Sequence, residues 1–337
     1  MKRELYGIQY LRGIASLSVL AYHLTLRAGG TPFLGTFRID LFFVVSGFIM
    51  WVITVDRDIA PSTFMLRRVI RLVPSYWLAT AATALLILAK PNFTYGHQLD
   101  SYRLVASLFF IPTLAGDDIL PVVLQAWTLI YEMMFYLLIA ASLRVEQRYR
   151  WQFIAATLCG LAVLHVLVPE AHLASVTNPN ILLEFLAGVL VGVVWKRCDV
   201  PSGWALLFLV IGLLGFAQSE YFHPDMPPML KFGIPSVFVV AGAVYYEKAK
   251  RVPNIRILSL LGEASYSIFL WHVWVSLILE GLLLHLHLPL RAQFMLELTG
   301  TVFISCLICI WVERPTTEYL RSLVTRPSLP LARGTPS

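Results

Sequence analysis

The 337-residue sequence predicts an all-α fold, that of a polytopic integral membrane protein with about ten transmembrane helices and both termini cytoplasmic. Three observations carry that expectation. Hydrophobic residues make up 58% of the chain and charged residues only 14%, against about 25% charged in a soluble domain, so the polar surface that water requires is lacking. Ten apolar runs approach the ~20 residues that a helix needs to cross a bilayer. The basic residues are divided unevenly between alternate loops, as cytoplasmic loops demand.

The runs fall near 7–27, 37–55, 73–90, 122–143, 151–168, 180–196, 204–217, 229–246, 258–284 and 293–313. The first follows Lys2 and Arg3 and has the outline of a signal peptide. Arg12 interrupts its apolar core, however, and no small-x-small cleavage site follows, so it reads as a retained helix. One further run, 101–116, is short and broken by Pro112. If it does not cross, nineteen of the 26 basic residues fall on the side of the N-terminus, six on the other side, and Arg12 inside a helix. If it crosses, every later loop changes sides and the bias collapses. Residues 101–116 are therefore expected to be re-entrant or to lie at the outer interface. The first 315 residues form the transmembrane domain, and 316–337, rich in Pro, Arg, Ser and Thr, form a cytoplasmic tail expected to be partly disordered.

Composition also limits the chemistry. The net charge of +6 marks cytoplasmic loops rather than nucleic acid binding. Cys159, Cys306 and Cys309 lie inside apolar runs, where a small hydrophobe is the ordinary reading. The C-x-x-C spacing of Cys306 and Cys309 comes without a βαβ context, so no metal or redox centre is expected.

The first span, "LRGIASLSVLAYHL", carries Arg12 and His23. Eleven residues of helix rise about 16.5 Å and make almost three turns, which leaves both on nearly one face. An ionisable group inside a span costs roughly 2.5–3.5 kcal/mol on insertion scales, so it should face a cavity or a partner. Asp40 opens the second span on the same outer side as His23. A carboxylate there can hold a histidine tautomer, or serve only as an acid at a helix N-terminus. Ser46 and Gly47 suit close helix packing and receive no chemical role. Arg67, Arg68 and Arg71 stand on the cytoplasmic side, just before the third span. Topology alone explains arginines there, but Arg68 and Arg71 at i,i+3 share a face and carry forks suited to phosphate, either of a soluble donor or of lipid headgroups. In "QAWTLIYEMMFYLL", Glu132 lies near mid-membrane with Thr128 and Tyr136 one turn away on either side and Trp127 and Tyr131 beside it. An intramembrane glutamate marks a functional site by default. His272 lies deep in the ninth span, whereas Glu313, at a cytoplasmic end, is expected to be solvated or to neighbour Arg314 rather than to act in catalysis.

In order along the chain, "QYLRGIASLSVLAYH", "DLFFVVSGFIM", "FMLRRVIRLVPSYW", "WTLIYEMMFY", "LGEASYSIFLWH" and "VERP" resemble the acyltransferase 3 family of bacterial membrane proteins, which O-acylate surface polysaccharides. The resemblance is to its exopolysaccharide-production acetyltransferases in particular, and it covers residues 8 to 315. It implies a bacterial inner-membrane location and acyl-CoA, usually acetyl-CoA, as a cytosolic co-substrate rather than a bound cofactor. The acceptor it implies is a glycan or lipid-linked saccharide, with the polysaccharide synthesis or export machinery as a partner. It also implies that Arg12, His23, Asp40, Arg68, Arg71 and Glu132 matter for activity. Some members carry a fused periplasmic hydrolase-like domain; this sequence runs 22 residues past "VERP".

Together these readings predict CoA phosphates at Arg68 and Arg71 with help from Arg12, and a pantetheine arm running along the Arg12–His23 stripe. His23 acts as general base, Asp40 orients it and Glu132 lines the cavity. Direct transfer and a covalent acetyl-histidine are both compatible with this. A proton-coupled transporter or flippase of a lipid-linked glycan would use the same His, Arg and Glu as a relay, and a scaffold for polysaccharide export is a third reading.

Overall fold

The computed structural model describes residues 5–30, 38–89, 99–112, 121–168, 177–222, 226–250 and 252–324, and every regular element among them is helical. In chain order the helices are α1 (Tyr6–Arg27), α2 (Arg38–Thr54), α3 (Pro61–Ala89), α4 (Ser101–Leu108), α5 (Trp127–Ser142), α6 (Arg150–Leu167), α7 (Pro179–Arg197), α8 (Ser202–Phe222), α9 (Ile234–Ala249), α10 (Arg256–Leu283), α11 (Leu290–Ile308) and α12 (Arg314–Val324). By length and composition, seven helical stretches among the described residues suffice to cross a membrane, and two shorter apolar helices correspond to α2 and α8. With the 22-residue α1 these match the ten apolar runs. Helix α4 has eight residues, about 12 Å of rise, and is too short to cross; residues 113–120 of the expected re-entrant stretch lie outside the described residues.

Two boundaries differ from expectation. Helix α3 begins at Pro61, well before the apolar run, and so holds Arg67, Arg68 and Arg71 within it. Proline is tolerated at a helix start, arginine is a good helix former, and Phe64, Ile70 and Leu72 give this segment a buried face. The second difference is at the C-terminus. A π-helical turn, Cys309–Glu313, joins α11 to α12, so the expected tail opens with an eleven-residue helix whose residues are all at least partly exposed. Residues 325–337 lie outside the described residues.

Close helix contacts hold the bundle together. Helices α2 and α7 meet through Gly47 and Gly188: a Cβ on Gly47 would stand 2.2 Å from the Phe185 carbonyl oxygen, and one on Gly188 would stand 2.1 Å from that of Val44. Only glycine allows backbones that near, and small residues let packing replace the hydrophobic drive that lipid removes. Beside this seam, Phe185 stacks on Phe135 of α5 at 4.3 Å and packs on Phe43 at 4.9 Å. Helix α1 lies along α10, where a Cβ on Gly262 would come within 2.2 Å of the Gln9 carbonyl oxygen. Its N-terminus is fixed by Glu247 of α9, whose two carboxylate oxygens accept from the Tyr6 and Gly7 amides, both at 2.8 Å. This satisfies orphan donors and complements the positive end of the helix dipole. Helix α1 is thereby held against α10 and α9, with its Arg12–His23 face turned inward.

Candidate active site

The α1–α10 contact brings Ser265 opposite Arg12, whose Nη2 donates to Ser265 Oγ at 2.9 Å. Around Arg12 stand Arg71 of α3, Glu132 of α5 and Glu313 of the π-helical turn, each close enough to act on its charge. Two guanidinium groups and two carboxylates inside one bundle offset one another's burial, which neither pair of like charges could do alone.

Glu132 is the most fully engaged of these groups. It accepts from Ser46 Oγ of α2 at 2.7 Å and from the Tyr136 hydroxyl one turn along α5 at 2.5 Å. Ser46 therefore has a polar partner, contrary to its expected role as packing alone. Thr128 donates to the Gln125 carbonyl at 3.1 Å. Arg68 stands over the rings of Phe64 and Tyr136, with centroids at 5.6 and 6.0 Å, within the range of cation–π attraction.

Glu313 also departs from expectation. It accepts a hydrogen bond from Ser267 and is half-buried, while Arg314 pairs with Glu263. Glu313 is the last residue of the π-helical turn Cys309–Glu313; such turns recur at functional sites. Nothing in the local sequence announces the turn.

Two cavities adjoin this cluster. The smaller, about 110 Å³, is lined by Arg12, Ser46, Arg71, Glu132, Tyr136 and Ser265 among apolar side chains. The larger, about 630 Å³, is lined by His23, Arg27, Thr83, Arg103, Trp127 and Trp274 among others, and falls within the roughly 300–1,000 Å³ usual for small-molecule sites. Ile39, Thr128 and Phe269 line both, so the cavities abut. Arg12 thus faces one cavity and His23 the other, as two residues separated by almost three turns of one helix would.

At the larger cavity, Arg27 bridges Glu280 and Glu297, each at 3.2 Å. Sequence reasoning gave none of these three a role. Trp127 forms part of the wall, whereas Tyr131 packs edge-on against it at 6.1 Å and hydrogen-bonds the Asn178 backbone, outside both linings. His272 is 1% exposed, and its ring centre is 5.1 Å from that of His23. Asp40 hydrogen-bonds with Glu184 of α7 and is absent from both linings among the described residues. Cys306 and Cys309 are buried with free thiols, and the described residues contain no group of three or more His, Cys, Asp or Glu able to hold a metal.

The model of a family described as an acyltransferase domain matches residues 5–314. The chain is 34% identical over 313 residues to the exopolysaccharide production protein ExoZ of Rhizobium meliloti, an alignment that covers 88% of this chain and 94% of that protein. It is 21% identical over 353 residues to the O-acetyltransferase OatA of Staphylococcus aureus; 93% of this chain is covered but 57% of OatA, so the chain spans little more than half of that relative. No solved structure matches.

Proposed function

Because this chain belongs to the acyltransferase domain family, we propose that it is a membrane-bound O-acyltransferase that moves an acetyl group from acetyl-CoA to a hydroxyl of a cell-surface polysaccharide or its lipid-linked precursor. The observation that carries the reading is the abutting pair of cavities, with arginines on the smaller and His23 on the larger. The donor enters at the cytoplasmic end, in the bacterial inner membrane. Its phosphates meet Arg68 and Arg71, whose forks suit phosphate oxygens, and its thioester reaches the junction past Arg12. Glu132 offsets the arginine charge and lines the donor cavity. The acceptor sugar takes the larger cavity, where Trp127 and Trp274 offer aromatic faces.

His23 then takes the proton of the sugar hydroxyl as the oxygen attacks the thioester carbonyl. The tetrahedral intermediate collapses, the carbon–sulfur bond breaks, and the leaving CoA thiolate receives the proton from His23. No proton or electron is left over. General-base help of this kind contributes about 10²–10⁴-fold in rate. The test is transfer of labelled acetyl from CoA to polysaccharide by the purified protein in lipid nanodiscs. Labelled polysaccharide is expected; glycan counterflow in liposomes without acetyl transfer would instead show a transporter.

A further inference from the structure

His272 is buried beside His23, and the transfer steps above leave it without a role. Its Nδ1 lies 2.8 Å from the Phe269 carbonyl oxygen. A carbonyl only accepts, so Nδ1 carries the hydrogen, and Nε2 of the neutral ring is left as an acceptor. That nitrogen is buried and has no hydrogen-bond partner among the described residues. A buried acceptor without a donor is costly, and native structures retain few of them. The neighbouring ring is His23, 5.1 Å away between centres with the planes tilted by 35°. Two imidazoles joined by an N–H···N bond of about 2.9 Å have centres about 5 Å apart, because each nitrogen stands about 1 Å from its ring centre.

We propose that His272 is a positioning residue that acts through His23: with the acceptor sugar bound, the His23 ring turns to donate its N–H to the unpartnered His272 Nε2, which directs the lone pair of the other His23 nitrogen toward the acceptor hydroxyl. The inference rests on His23 as the general base and gives His272 the orienting task that the sequence suggests for Asp40, whose carboxyl hydrogen-bonds with Glu184. When the hydroxyl proton arrives, His23 carries a proton on both nitrogens. The N–H toward His272 stays bonded, and the other proton passes to the departing thiolate. The Phe269 carbonyl fixes His272, His272 fixes His23, and Phe269 itself lines both cavities.

Asparagine and glutamine separate this role from packing, since their amide groups fall where Nδ1 and Nε2 respectively stand. His272→Asn keeps a donor for the Phe269 carbonyl and loses the acceptor; His272→Gln keeps the acceptor. In nanodiscs, His272→Asn is expected to lower kcat for acetyl transfer by about 10–100-fold, part of what a general base supplies, with the acetyl-CoA KM unchanged, while His272→Gln stays within about tenfold of wild type. Carbethoxylation of His23 by diethyl pyrocarbonate, located by mass spectrometry, reads its lone pair without acyl transfer. It should slow in His272→Asn and not in His272→Gln. Equal losses in both variants would mean packing alone and would overturn the proposal, as would no loss in either. Slowing in Asp40→Asn rather than in His272→Asn would return the orienting task to Asp40. If wild-type protein transfers no acetyl, the carbethoxylation arm still judges the histidine pair, and only the transferase reading fails.

Discussion

Glu132 shows at the residue scale how one intramembrane charge is made tolerable. It holds two hydroxyl donors, Ser46 and Tyr136, and it acts on the charges of Arg12 and Arg68. Glu132→Gln keeps the size of the side chain but leaves these arginines undercompensated. Removing one member of a buried ionic set costs about 3–5 kcal/mol, so the variant should melt at a clearly lower temperature in detergent than Ser46→Ala, which removes one hydrogen bond and costs about 1–3 kcal/mol. Equal melting temperatures for the two would show that Glu132 is not charge-coupled. Arg68→Ala and Arg71→Ala should raise the acetyl-CoA KM and leave acceptor KM nearly unchanged, since each charge-assisted contact is worth about 1.5–3 kcal/mol. Lysine at either position should rescue in part, because it keeps the charge and loses the fork. An unchanged acetyl-CoA KM in both alanine variants would reduce these arginines to a topological signal. That Arg12, His23 and Glu132 face cavities was legible because lipid penalises ionisable groups that face it. Ser46 was not: a serine in an apolar span reads as a small packing residue, and its partner sits on a helix 86 positions away.

Among the elements, the α2–α7 seam is the feature that sequence described in part. Gly47 was legible as a packing residue; its partner across the seam, Gly188, was not, because helix pairing is long-range. Gly47→Ala and Gly188→Ala must displace backbone carbonyls from 2.2 and 2.1 Å, and overpacking of this kind costs about 1–3 kcal/mol. Both variants should lose thermal stability in detergent, whereas Gly160→Ala, with nothing within 4 Å of the added carbon, should not. Equal stability of all three would contradict the close seam. Spans were found because hydrophobic length is a strong signal. The early start of α3 and the π-helical turn at Cys309–Glu313 escaped because both depend on tertiary packing. Glu313 lies in that turn, so the sequence did not place it in the cluster around Arg12.

For the whole molecule, the uneven division of basic residues sets the expected orientation, with both termini cytoplasmic. In a cysteine-free background, cysteines placed at Ser101 and Arg148 should be labelled from opposite sides of the membrane; labelling from one side would overturn the orientation and with it the cytosolic entry of the donor. The proposed acyl transfer depends on His23, which lines the larger cavity. The most direct measurement is acetyl transfer from CoA to polysaccharide by folded, nanodisc-inserted His23→Ala beside wild type. Loss of the general base predicts a fall of about 10²–10⁴-fold with the protein still folded. Turnover above about a tenth of wild type, well outside that range, would contradict the account.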